Sequence, residues 1–167
     1  MADIKVAYAA SSNLTITLAS LATSSTWLAG RESTAVDNTT NKYLDYRLSG
    51  KVTVGTTPTV NTEIRVYVVG LMDDSTWPDV FDGTDSAETV TSAGVGSGFL
   101  KLAAVMLVDA TTSDRVYYFD AGSVRALFDG VLPPKFVVFV AHNTGVNLNS
   151  TAGNHQVTIT PEYATSV

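Results

Sequence analysis

The sequence predicts an all-β fold, a jelly-roll-like antiparallel β-sandwich with one short helix and an extended N-terminal arm. Three observations carry that expectation. Thr and Val are abundant, and both are stiff at χ1 and suit a pleated, half-buried surface. Glu, Gln and Lys together fill only ten of 167 positions, so the residues that usually coat solvent-facing helices are nearly missing. Short segments repeatedly alternate polar and apolar side chains between Gly, Pro and Asn turns, which is the period of a strand.

Taken in order, residues 1–12 are small and polar without sustained periodicity and read as an arm, leaving 13–167 as one sandwich domain. Asn13–Leu18 alternates as a half-buried strand. Ala19–Thr40 is less regular: Trp27-Leu28-Ala29-Gly30 reads as a helical turn and Asp37–Asn41 as a turn-rich loop. In Tyr43–Val54, Tyr43, Asp45, Arg47 and Ser49 share one face and Leu44, Tyr46 and Leu48 the other. Gly55-Thr56-Thr57-Pro58 turns the chain into Glu63–Val69, which is expected to pair antiparallel with Tyr43–Val54.

The segment at about 71–98 is unusual, since a connection this long in a compact domain is normally functional or mobile. It holds Asp73, Asp74, Asp79, Asp82, Asp85 and Glu88, with Trp77-Pro78 and Phe81 among them, and ends in Gly94-Val95-Gly96-Ser97-Gly98. Leu100–Asp109 and Val116–Asp120 are further strands. Ser123–Phe128 is the short helix, with Ser123 as N-cap and Gly130 as stop. Pro133-Pro134 precedes the strand Phe136–Ala141, and Gln156–Thr160 is the last. The apolar runs Val66–Val69, Leu102–Val108 and Phe136–Val140 fit central strands covered on both faces.

Composition narrows function. The absence of Cys removes disulfides, thiolate metal sites and Cys nucleophiles together, and fits synthesis in a reducing cytosol. Net charge is −6 and the ten basic residues are scattered, which disfavours direct contact with nucleic acid or an anionic membrane. Met1–Lys5 lacks the pattern of a signal peptide, so Asn13-Leu14-Thr15, Asn38-Thr39-Thr40 and Asn149-Ser150-Thr151 read as chance glycosylation triplets. No cofactor is implied.

The chemistry-bearing residues point away from catalysis. His142 and His155 are the only imidazoles and read as strand-end surface residues. Gly96-Ser97-Gly98 lacks the spacing of a nucleophile elbow and reads as a flexible link. The acids of residues 73–88 supply oxygens of the kind Ca²⁺ takes, but Asp82-Gly83-Thr84-Asp85 does not match an EF-hand loop, and a solvated acidic loop is the better reading. The partner-contacting candidates are Asp3, Ile4, Val6 and Tyr8 of the arm, with Trp77 and Phe81 of the acidic loop. Backbone pairing tolerates the arm's small side chains, and exposed aromatic rings make interface anchors. Trp77 either meets a partner or pins its loop to the sandwich.

Three features together resemble the decoration (cement) and minor virion proteins of tailed bacteriophages. They are the Ala/Ser arm Ala7–Ser12, the strands Tyr43–Val52 and Ile64–Gly70, and the closing run Leu132–Gly145 with Pro133-Pro134 and Asn143-Thr144-Gly145. The resemblance implies a non-enzymatic protein made in the host cytoplasm and carried on the capsid exterior. The partner it implies is the major capsid protein, and the implied assembly is a homotrimer that braces the shell against packed DNA. The rival readings are a glycan-binding sandwich, which predicts exposed rings in a groove, and a tail or connector component, which predicts a ring or tube.

Overall fold

The computed structural model describes residues 3–166; the expected arm residues Met1 and Ala2, and the terminal Val167, lie outside them. In chain order the elements are β1 (Ile4–Tyr8), β2 (Ser12–Asn13), β3 (Ala29–Glu32), β4 (Val36–Asp37), β5 (Asp45–Thr53), β6 (Thr62–Gly70), β7 (Ala87–Thr89), α1 (Ala93–Gly96), β8 (Lys101–Val108), β9 (Val116–Ser123), β10 (Lys135–His142) and β11 (Gln156–Ser166). Sheet A has the order β1-β11-β5-β9, with β2 also on β11. Sheet B has the order β7-β3-β10-β6-β8, with β4 also on β10. Counting β1/β2 and β3/β4 as interrupted legs leaves eight principal legs, in the order 1-8-3-6 in one sheet and 2-7-4-5 in the other, with β7 as an added edge. That order, antiparallel throughout, is the double Greek key of a jelly roll.

Alternation explains why these strands stack. On β10, Phe136, Val138 and Val140 point between the sheets and meet Tyr46, Leu48, Val52, Ile64, Val66 and Ile159. Val137, Phe139 and Ala141 point the other way, into a second apolar cluster with Tyr67, Val69, Phe81 and Val90. The second cluster exists because the segment 71–98 folds down over the outer face of sheet B. Every residue of β10 from Phe136 to His142 is therefore fully buried, and each large apolar side chain hidden this way contributes roughly 1.5–3 kcal/mol. Gly30 permits the close approach of β3: a Cβ there would sit 2.4 Å from the Val140 carbonyl oxygen and 2.6 Å from the Phe139 ring.

Several expectations are corrected. Tyr43–Val54 and Glu63–Val69 are strands but do not pair: β5 lies between β11 and β9 in sheet A, and β6 lies between β10 and β8 in sheet B. The loop after Thr53 crosses from one sheet to the other. Leu102–Val108 is not covered on both faces, because β8 is an edge strand and Leu102, Val105 and Leu107 stay exposed. Asn13–Leu18 alternates in burial but leaves the ladder after Asn13. Trp27–Gly30 is not a helical turn; Trp27 has a left-handed φ of 56° and Ala29-Gly30 enter β3. Ser123–Phe128 forms a single 3-10 turn at Arg125–Phe128, although Ser123 Oγ does accept from the Ala126 amide. Among the described residues the α-turn is instead α1, which Ser92 caps and which runs into Gly96, the first residue of the stretch read as a flexible link.

Candidate functional site

The arm is not free. Ile4-Lys5-Val6-Ala7-Tyr8 alternates apolar and small or charged residues, and it pairs along its length with the end of β11, from Ile4 opposite Ser166 to Tyr8 opposite Glu162. This register places Ile4, Val6 and Tyr8 on one face beside Glu162, Ala164 and Ser166. Lys5 and Ala7 share the other face with Tyr163 and Thr165. Tyr163 leans on Tyr43, with ring centroids 6.3 Å apart. Among the described residues nothing covers the Ile4 face in this way: Ile4, Val6 and Tyr8 are 80%, 58% and 64% exposed. Asp3, just ahead of the strand, is exposed as well.

The backbone of β1 is equally open. The Ala9 amide donates to the Pro161 carbonyl at 2.9 Å, which fixes the phase of the ladder. Antiparallel alternation then assigns Ala7 and Lys5 to the bonded pairs and leaves the N–H and C=O groups of Ile4, Val6 and Tyr8 aimed at the free edge. The other sheet edges are blunted. β8 and β9 each carry a bulge, at Ala103 and Ala121, and lie against one another. β7 is three residues long. Among the described residues, β1 is the edge that is flat, bulge-free and apolar, the kind that natural sheets usually protect.

The two loop candidates lie elsewhere, over the outer face of sheet B. Phe81 is corrected from a contact residue to a core residue. It is 4% exposed and packs edge-on against Phe139 and Phe99, with centroids 5.3 and 5.7 Å apart. Trp77 is half-buried in the same cluster and lies against Gly83, so it pins the segment down. The structure thus brings Asp3, Ile4, Val6 and Tyr8 together and separates them from Trp77 and Phe81.

The acids of the segment act as fasteners. Asp73 accepts from the Ser75 and Thr76 amides at 2.8 and 2.7 Å, and Asp82 accepts from the Thr84 amide at 2.8 Å. Asp79 reaches Thr91 through its amide at 2.8 Å and its hydroxyl at 2.6 Å. Asp85 takes Arg31 Nε at 2.6 Å and the Thr17 hydroxyl at 2.6 Å. Burial alone would raise the Asp85 carboxyl, but these hydrogen bonds outweigh it and hold it below its ordinary value.

Both histidines are corrected too. His142 is fully buried at the end of β10, with Nε2 donating to the Leu21 carbonyl at 3.0 Å and Nδ1 3.0 Å from the Thr144 hydroxyl. Burial pushes it down to about 4. His155 is half-buried; its Nδ1 accepts from the Thr53 amide at 3.3 Å and its Nε2 donates to the Asn149 carbonyl at 2.8 Å. Both rings clamp loops at the ends of strands. Sequence reasoning missed Glu32, which is fully buried in β3 and accepts from the Gly83 amide at 2.6 Å and the Asp82 amide at 3.3 Å. Burial pushes it up to about 7. Only the pairing of β3 beneath the segment reveals that site, because Arg31-Glu32-Ser33 reads as an ordinary polar stretch.

No protein-family model, curated protein or solved structure matches this chain significantly.

Proposed function

We propose that this chain is a structural virion protein that docks on the outer surface of an icosahedral phage capsid and braces the shell against the pressure of packed DNA. The observation that carries this reading is the open edge of β1. Its outward amides and carbonyls are ready to accept a further strand, and the exposed Ile4 and Val6 side chains give that strand an apolar flank. The rigid jelly roll behind it suits a load-bearing element. The partner is the major capsid protein, met at junctions between shell subunits.

One edge of five residues makes a modest contact. A homotrimer presents three such edges at once, and raising the effective concentration of the second and third contacts multiplies avidity by orders of magnitude.

Quantitative mass spectrometry of gradient-purified particles tests the reading. The expected result is a copy number comparable with that of the shell protein. A handful of copies per particle, or none, would overturn it.

A further inference from the structure

The outer face of sheet A carries a second feature, independent of the capsid reading. The cross-strand register sets Thr160 opposite Arg47, Thr158 opposite Ser49, and Ser49 opposite Asp120, so side chains of β11, β5 and β9 stand side by side on one face. Ser11 joins them, its hydroxyl 2.7 Å from that of Thr160, and Tyr8 forms a wall from β1. Together they line a shallow, open dish of about 380 Å³, within the range of small-ligand sites. All its lining residues except Ser11 stand on strands of sheet A, which preorganises it.

The chemistry of the lining selects the ligand. Four hydroxyls line it: those of Ser11 and Thr160 bond one another and that of Thr158 donates to Asn13, which leaves oxygen lone pairs to accept from the groups of a polyol. Arg47 and Asp120 form an ion pair, so a fork of donors and a pair of acceptor oxygens sit next to each other with no net charge. Asp120 disfavours an anion, and Arg47 disfavours a cation. A protein partner's apolar anchors would find one ring here and no apolar pocket. That ring, Tyr8, is 64% exposed and offers a flat face for the C–H face of a pyranose. We infer that this dish binds a neutral saccharide, with Tyr8 stacking on the sugar ring and Arg47, Asp120, Ser49 and Thr160 bonding its hydroxyls.

Amide chemical-shift titration of the full chain with glucose, galactose, mannose, N-acetylglucosamine, maltose and lactose tests this, with inorganic phosphate as the charged control. The expected result is saturable shifts at Ser11, Arg47, Ser49, Asp120 and Thr160 with at least one sugar. Asp120→Ala and Tyr8→Ala should each weaken that binding about tenfold or more. Both residues are exposed, so unchanged melting temperatures should accompany the loss. The inference is overturned if no sugar gives saturable shifts, if the shifts map elsewhere, or if phosphate moves the same amides more strongly. Asp120→Ala leaves the β1 edge intact, so particle occupancy reports on the capsid reading separately.

Discussion

Glu32 and His142 are both fully buried, and their titrations oppose one another. Native Glu32 holds its proton to about 7 where the unfolded chain loses it near 4.5, so its contribution to stability is present at low pH and is lost as pH rises through that window. Native His142 stays neutral down to about 4 where the unfolded chain protonates near 6.5, so its contribution is present at high pH and is lost as pH falls. The slopes cancel where the windows overlap. Glu32→Gln removes one of them, so from pH 4.5 to 6.5 the variant's stability should climb relative to wild type, by up to about 1.4 kcal/mol per pH unit. Denaturant titrations at several pH values check this, and parallel profiles for the two proteins would contradict it. Neither residue was legible in advance. A buried carboxylate fed by backbone amides has no sequence signature, and a His after an apolar strand looks the same whether the strand ends in solvent or under a loop.

At the scale of elements, the segment 71–98 is a lid on sheet B fastened by acids at its turns and by Phe81 beneath. Phe81→Ala should therefore cost about 3–5 kcal/mol of stability, as other buried Phe truncations do. Thermal or chemical unfolding measures it; unchanged stability would restore Phe81 as a surface contact. The acids hid this role from the sequence, because Val80, Phe81 and Val90 are spaced among Asp residues without a strand period. The strands themselves were legible: β5, β6, β10 and the first half of β11 all follow from alternation or apolar runs. Their partners were not, since alternation says which face is buried but not which strand lies alongside. The arm shows the same division. Its alternation over Ile4–Tyr8 is plain in the sequence, yet its pairing with the last strand depends on a contact between residues 4–8 and 162–166.

For the molecule as a whole, the jelly roll sets the first leg beside the last, so sheet A cannot close until the chain is complete. Such non-local pairing is slow, and refolding monitored by Trp fluorescence should take milliseconds to seconds; a microsecond phase carrying the full signal would contradict it. The same arrangement leaves β1 as the open edge, and the account stands on that edge. Val6→Pro tests it most directly. Proline removes an N–H that no bond inside the sheet uses, and edge positions of this kind tolerate it, so melting should be nearly unchanged. Wild-type and Val6→Pro protein should be added to capsids stripped of this chain, and the bound copies counted after sedimentation. Wild type should bind saturably, and the folded variant should lose that binding. Equal binding by both would show that the β1 edge is not the docking element.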